Sequence, residues 1–119
     1  MNIKECYDAA GGKYDEVIRR FLREELLIKF VLKFLSDKTF DTLISDLEKG
    51  DMGASFRGAH TLKGVAMNLG FTELYDVSAE LTDMLRPLKP VDTTDVVAKL
   101  TASYNKVVGA IKEFQKSNS

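Results

Sequence analysis

The sequence predicts an all-α fold: an antiparallel up-and-down four-helix bundle with short N-terminal helices packed on it. Three observations carry this. Apolar residues recur at three- and four-residue spacing through most of the chain, the period of a buried helix face. Only two prolines occur, Pro87 and Pro90, and they fall together in one stretch. Between the periodic segments stand Gly11-Gly12, Ser36-Asp37, Gly50-Asp51 and Gly70, residue types that stop or start helices.

The elements follow in order. Residues 2–10 form a short helix with Ile3, Tyr7 and Ala10 near one face, ended by Gly11-Gly12. A second short helix covers 14–21, with Val17, Ile18 and Phe21 inward. These two cap one end or side of the bundle, which runs from about 22 to 116. The segment 22–49 supplies its first helix. Leu26, Leu27, Phe30, Val31 and Phe34 make a broad apolar face, and Ser36-Asp37 breaks or kinks it, since both residue types favour caps. Phe40, Leu43, Ile44 and Leu47 continue the stripe until Gly50 stops it. Asp51 caps a helix over 52–69 whose inward stripe is Phe56, Ala59, Leu62, Ala66 and Leu69. Gly70 ends that helix in the left-handed conformation, with Phe71 as the apolar contact of the motif. The turn is short, so the next helix runs back antiparallel. Thr72 caps it, and Leu74, Val77, Leu81 and Leu85 are its buried line. Pro87 and Pro90 bracket a loop. Asp92 caps the last helix, which turns Val97, Leu100, Tyr104, Val107, Val108, Ile111 and Phe114 inward.

Composition excludes several classes. The chain of 119 residues is one domain's length. It is 45% apolar, enough to build a core. A net charge of −1 argues against nucleic-acid binding, which needs a basic surface. No apolar run is long enough to span a membrane, and Met1–Asp8 lacks the apolar stretch of a secretion signal. The single cysteine, Cys6, has no internal disulfide partner, which suits a reducing compartment. The expected setting is the cytoplasm, and the expected state a monomer. With one histidine and one cysteine there is no paired set of metal ligands, and no glycine-rich phosphate loop for a nucleotide.

The chemistry concentrates in residues 57–70, which hold the only histidine, His60. Gly58 and Gly64 lie inside the same helix, and a mid-helix glycine costs about 1 kcal/mol relative to alanine. Residues 56, 60, 63, 64 and 67 cluster on one side of the wheel, beside the core stripe. His60 is therefore expected to be neither fully buried nor fully free. Lys63 adds a positive charge one turn on, and Gly64 leaves the surface bare. A neutral imidazole nitrogen can attack a phosphoryl group and hold it, and much of the imidazole is neutral near pH 7. Lys63 would offset the added charge, as would Arg57 or Arg86 if near. Gly58 is better explained by helix packing. Cys6 and His60 as a nucleophile–base pair find no other part of a hydrolase site.

The pattern His60-x-Leu62-Lys63-Gly64-x-x-x-x-Leu69-Gly70 resembles that of histidine-containing phosphotransfer (HPt) domains. The helical layout over residues 14–114 is also similar. The resemblance implies a four-helix bundle that carries phosphate on His60. It would take the group from a receiver-domain aspartate and pass it to another, in a multistep two-component phosphorelay. It implies Lys63 beside the phosphate, Gly64 as room for the receiver, and Phe56, Arg57 and Met67 in the contact surface. The partners implied are response-regulator receiver domains and a hybrid sensor kinase. The protein is then a carrier rather than an enzyme, without an ATP site or a cofactor of its own, and Mg²⁺ is expected on the receiver. The chain departs from the family at Thr82, where a longer Glu or Gln often orients the imidazole. Thr82 is too short for this, which leaves a water or a backbone carbonyl for the role. The alternative function is a non-catalytic helical binding module, or a degenerate HPt domain that binds receivers without carrying phosphate.

Overall fold

The computed structural model describes residues 1–118. Among them are seven α-helices and no strand. The helices are α1 (Ile3–Ala10), α2 (Tyr14–Phe21), α3 (Glu24–Lys33), α4 (Thr39–Glu48), α5 (Met52–Leu69), α6 (Thr72–Leu85) and α7 (Thr94–Ser117). The all-α class therefore holds. Helix α5 packs on α4 and, more extensively, on α6. Helix α7 packs on α6 and on α1.

Local chemistry sets the helix starts. Asn2 and Glu5 form a capping box: the Asn2 side chain accepts from the Glu5 amide at 2.8 Å, and the Glu5 carboxylate from the Asn2 amide at 2.9 Å. Asp51 caps α5 by accepting from the Ala54 amide at 3.0 Å. Asp92 accepts from the Thr94 amide at 3.0 Å and so serves the first turn of α7 from just outside it. Thr72 does not cap α6; it is the first helical residue, and Phe71 precedes it without a side-chain cap. The amide of Glu73 instead donates to the Gly11 carbonyl at 3.1 Å. The turn between α1 and α2 thus supplies the acceptor that Thr72 was expected to provide.

The segment 22–49 is two helices, not one kinked helix. Phe34–Ser36 tighten into a 3-10 turn, Asp37 is extended, and its carboxylate accepts from the Thr39 amide at 2.8 Å to start α4. Leu22 belongs to the end of α2, and α3 begins at Glu24. Several inward assignments shift by one position. Phe30 is 40% exposed, while Leu27, Val31 and Phe34 are buried. On α5 the buried line is Ser55, Ala59, Leu62, Ala66 and Leu69, with Phe56 half-buried at its edge. Ser78 rather than Val77 is buried on α6, and Val96 rather than Val97 on α7. Tyr104 and Val108 are half-buried. These shifts fit helix faces wider than one stripe, whose edges touch both core and water.

The C-terminus of α5 is secured from several directions. Gly70 has φ +72°, and a Cβ there would stand 2.8 Å from the Val17 Cβ, so both conformation and space call for glycine. Phe71 donates to the Ala66 carbonyl at 2.9 Å and Gly70 to Met67 at 3.2 Å, the Schellman pattern. The remaining carbonyls take donors from the N-terminal helices. Arg20 reaches Met67 at 2.8 Å and Asn68 at 3.3 Å. The Tyr7 hydroxyl reaches Leu69 at 2.6 Å, and the Lys13 amide reaches Gly70 at 3.0 Å. Phe71 is fully buried and stacks on Tyr7 at 5.4 Å.

Candidate functional site

Helix α5 presents His60 on the side away from its buried line. The imidazole is exposed, further out than the edge position its spacing predicted. The residues at 59 and 62 go into the core, and the 100° step per residue turns 60 to water. Among the described residues the ring makes no hydrogen bond. It lies beside Phe56, one turn earlier, with ring centres 6.2 Å apart.

Phe56 links His60 to α6. The Arg86 guanidinium lies 5.5 Å from the centre of the Phe56 ring. It also pairs with Asp83 at 3.2 Å, in an exposed contact. Helices α5 and α6 form an antiparallel hairpin turned at Gly70-Phe71. Phe56 and Arg86 each lie fifteen residues from Phe71, which places them opposite one another. Counting outward from the turn would have found this pair from the sequence. The same count sets Thr82 opposite His60. Thr82 is fully buried, and its hydroxyl donates to the Ser78 carbonyl of its own helix at 2.7 Å. Its one proton is committed there, and among the described residues it makes no hydrogen bond with the imidazole.

Lys63 is half-buried one turn beyond His60, and among the described residues its ammonium has no ion pair or hydrogen bond. Its charge is uncommitted. Arg57, one turn before His60 near Gly64's side of the helix, is exposed. Met67 is 50% exposed. The two glycines of α5 near His60 differ sharply. A Cβ on Gly58 would meet the Leu43 side chain at 3.4 Å, so Gly58 lies in the contact between α4 and α5. A Cβ on Gly64 would meet nothing within 4 Å. Among the described residues nothing occupies the space that a side chain at 64 would take.

Other chemistries lack parts. Cys6 is fully buried on α1, and burial pushes its thiol up to about 11. It is a poor nucleophile there, and His60 is exposed on a different helix. No group of three or more His, Cys, Asp or Glu side chains suited to a metal occurs among the described residues. No helix among them is long and apolar enough to cross a membrane.

A family model described as the Hpt domain matches residues 31–110, from the last turn of α3 to the last third of α7. The chain belongs to the Hpt domain family. Neither a curated protein nor a solved structure matches it. Hpt domains carry phosphoryl groups in phosphorelays and work with receiver and kinase components, rather than as catalysts in their own right. In this Hpt domain the matched residues include His60, Lys63, Gly64 and Gly70. Helices α1 and α2, which hold the end of α5, lie outside the match.

Proposed function

We propose that this Hpt domain carries a phosphoryl group on His60 between receiver-domain aspartates, as the intermediate of a multistep phosphorelay. The observation that carries the reading is Gly64. A helix keeps a costly glycine where its own fold leaves open space, one turn from an exposed nucleophile. A visiting domain can then bring its backbone close to the imidazole without meeting a side chain.

The chemistry asks little of the carrier beyond position. The lone pair of one imidazole nitrogen attacks the phosphorus of an aspartyl phosphate. The P–N bond forms, the acyl P–O bond breaks, and the aspartate carboxylate leaves with the electron pair. The proton on the other ring nitrogen stays on the ring and exchanges with water. Return to a second aspartate reverses these steps. The phosphoryl oxygens bring about two negative charges, which the uncommitted Lys63 ammonium is placed to meet. Arg86, held over Phe56, is the next cation within reach. Phosphoryl transfer depends mainly on positioning and electrostatics, and the receiver would contribute the Mg²⁺. In this reading residues 22–116 make the antiparallel four-helix bundle, with α3 and α4 together as its first member and the short helices α1 and α2 packed on it. The setting is cytoplasmic, with a hybrid sensor kinase upstream.

The test uses purified receiver domains from the same genome, each loaded by acetyl phosphate and Mg²⁺. Mixing them with this protein should place an acid-labile, base-stable phosphate on it, visible by phosphorus NMR. His60→Gln should abolish that signal. Equal phosphate uptake by the variant would refute the proposal. Binding of the receiver without transfer would instead mark a docking module that carries no phosphate.

A further inference from the structure

Gly64 is a glycine where an ordinary residue would be cheaper. The same molecule shows the reverse at two positions. Among the described residues, two that are not glycine have positive φ: Leu22 at +67° and Leu88 at +58°. A left-handed backbone is unfavourable for a residue with a Cβ, and a branched aliphatic side chain offers no local hydrogen bond to offset it. Glycine or asparagine is the usual occupant, as Gly11, Gly50 and Gly70 illustrate. Leu22 closes α2, its amide donating to Ile18 at 2.8 Å; Leu88 follows the Arg86 cap of α6, its amide donating to Leu85 at 2.9 Å.

The core does not explain either leucine. Leu22 is 81% exposed and Leu88 54%. Each carries backbone strain and shows an apolar side chain to water. Strain of this kind persists only where the surrounding structure fixes it, and it clusters at functional sites.

Each stands two residues from an arginine that touches α5, one near its C-terminal end and one near its N-terminal end. Leu22 lies two residues after Arg20, whose guanidinium is bonded to the Met67 and Asn68 carbonyls. Leu88 lies two residues after Arg86, whose guanidinium sits over Phe56. His60 and Gly64 fall between these two anchor points. From Phe56 to Asn68 the helix runs about 18 Å, at 1.5 Å per residue. A small ligand does not cover that distance, whereas the face of a globular domain does. Met67, itself half exposed, lies within the span.

We infer that Leu22 and Leu88 are the two outer apolar contacts of the receiver domain that visits His60, held outward by their left-handed backbones. This rests on the phosphotransfer reading and deepens it. The leucines would set how tightly a receiver docks, and which receiver, without touching the reacting atoms. Leu22 lies outside the residues matched by the family model, and Leu88 inside them. Gly109 is as open as Gly64. It has only exposed Asn105, Lys106, Lys112 and Glu113 around it, and so carries no such argument.

The test replaces each leucine by asparagine, which tolerates the left-handed region and removes the apolar contact. Leu22→Asn, Leu88→Asn and the double variant should keep Tm at or above that of the parent. Transfer from a phosphorylated receiver domain is then followed over a range of receiver concentrations. The apparent KM should rise roughly three- to tenfold per leucine, with the maximal rate unchanged. Leu22→Met and Leu88→Met should restore it. Chemical phosphorylation of His60 by phosphoramidate, which needs no docking, should be equal in all variants. An unchanged KM in the stable double variant overturns the inference while phosphotransfer stands. A parent protein that accepts phosphate from no receiver overturns both.

Discussion

The Tyr7 hydroxyl donates to the Leu69 carbonyl at 2.6 Å, across sixty-two residues of chain and inside the core. One side chain of α1 thus satisfies the last carbonyl of the helix that bears His60. Tyr7→Phe keeps the ring and its stacking on Phe71 but removes the donor. The carbonyl would then be buried without its partner, so stability should fall by about 1–3 kcal/mol. Urea unfolding would show a lower midpoint at unchanged slope. A shift under roughly 0.5 kcal/mol would mean that Leu69 finds another donor at little cost.

Much of this was legible in the sequence, and the misses have physical reasons. The ends of α1 and α5 and the role of Gly70 follow from stop signals written in single residues. His60, Lys63 and Gly64 share a face because helical spacing alone fixes it. The cap of α6 was misplaced because its acceptor, the Gly11 carbonyl, belongs to a turn sixty residues away, which local pattern does not reveal. Arg20 and Tyr7 at the end of α5 were missed for the same reason. Leu22 and Leu88 were invisible because φ is not written in residue type; a leucine signals apolarity, not strain.

Stability should fall steeply in alkali. Burial, the largest cause, raises the Cys6 thiol from its ordinary value to about 11, and it pushes the Tyr7 hydroxyl well above its ordinary range. In both cases the folded state keeps a proton that the unfolded chain releases earlier. Their contribution is fully present below pH 9, where the unfolded thiol is still protonated. It is lost as pH rises towards 11, with Tyr7 adding to the loss above pH 10. Chemical denaturation at a series of pH values should show the decline, and Cys6→Ala should flatten its first part. An unchanged profile in that variant would assign the loss elsewhere.

Ser78 is fully buried, and among the described residues its hydroxyl has no hydrogen-bond partner. Ser78→Ala removes an unsatisfied polar group from the α6 core face while leaving its carbonyl free to accept from Thr82. Stability should rise by roughly 1 kcal/mol. If Tm drops instead, a water or an unseen donor serves that hydroxyl.

Two open glycines allow stability and function to be separated. Gly64→Ala and Gly109→Ala each place a methyl group where nothing lies within 4 Å. Each should stabilise its helix by about 0.5–1 kcal/mol. Their effects on phosphate transfer from a receiver should diverge. Gly109→Ala should transfer at the parental rate, whereas Gly64→Ala should be slower and Gly64→Glu slower still with helicity intact. Circular dichroism melts and transfer rates on the same samples check both halves. Equal rates in all three variants would remove Gly64 from the docking path.

The Arg86 guanidinium is the remaining charge to place. In the unmodified protein it rests on the Phe56 ring and pairs with exposed Asp83, two weak holds from which it can swing. A phosphoryl group on His60 would offer a stronger partner one ring away. A guanidinium can bind two phosphoryl oxygens at once, and a lysine at the same place cannot. Arg86→Ala should therefore shift the transfer equilibrium away from His60 by roughly threefold to tenfold, about 0.7–1.4 kcal/mol. Arg86→Lys should recover part of that. Because the contact is exposed, added salt should shrink the difference between parent and variant. The measurement is the fraction of label on His60 at equilibrium with one receiver, at low and high ionic strength. If Arg86→Ala leaves that fraction unchanged at low salt, the guanidinium serves only to cover Phe56, and Lys63 carries the phosphate charge alone.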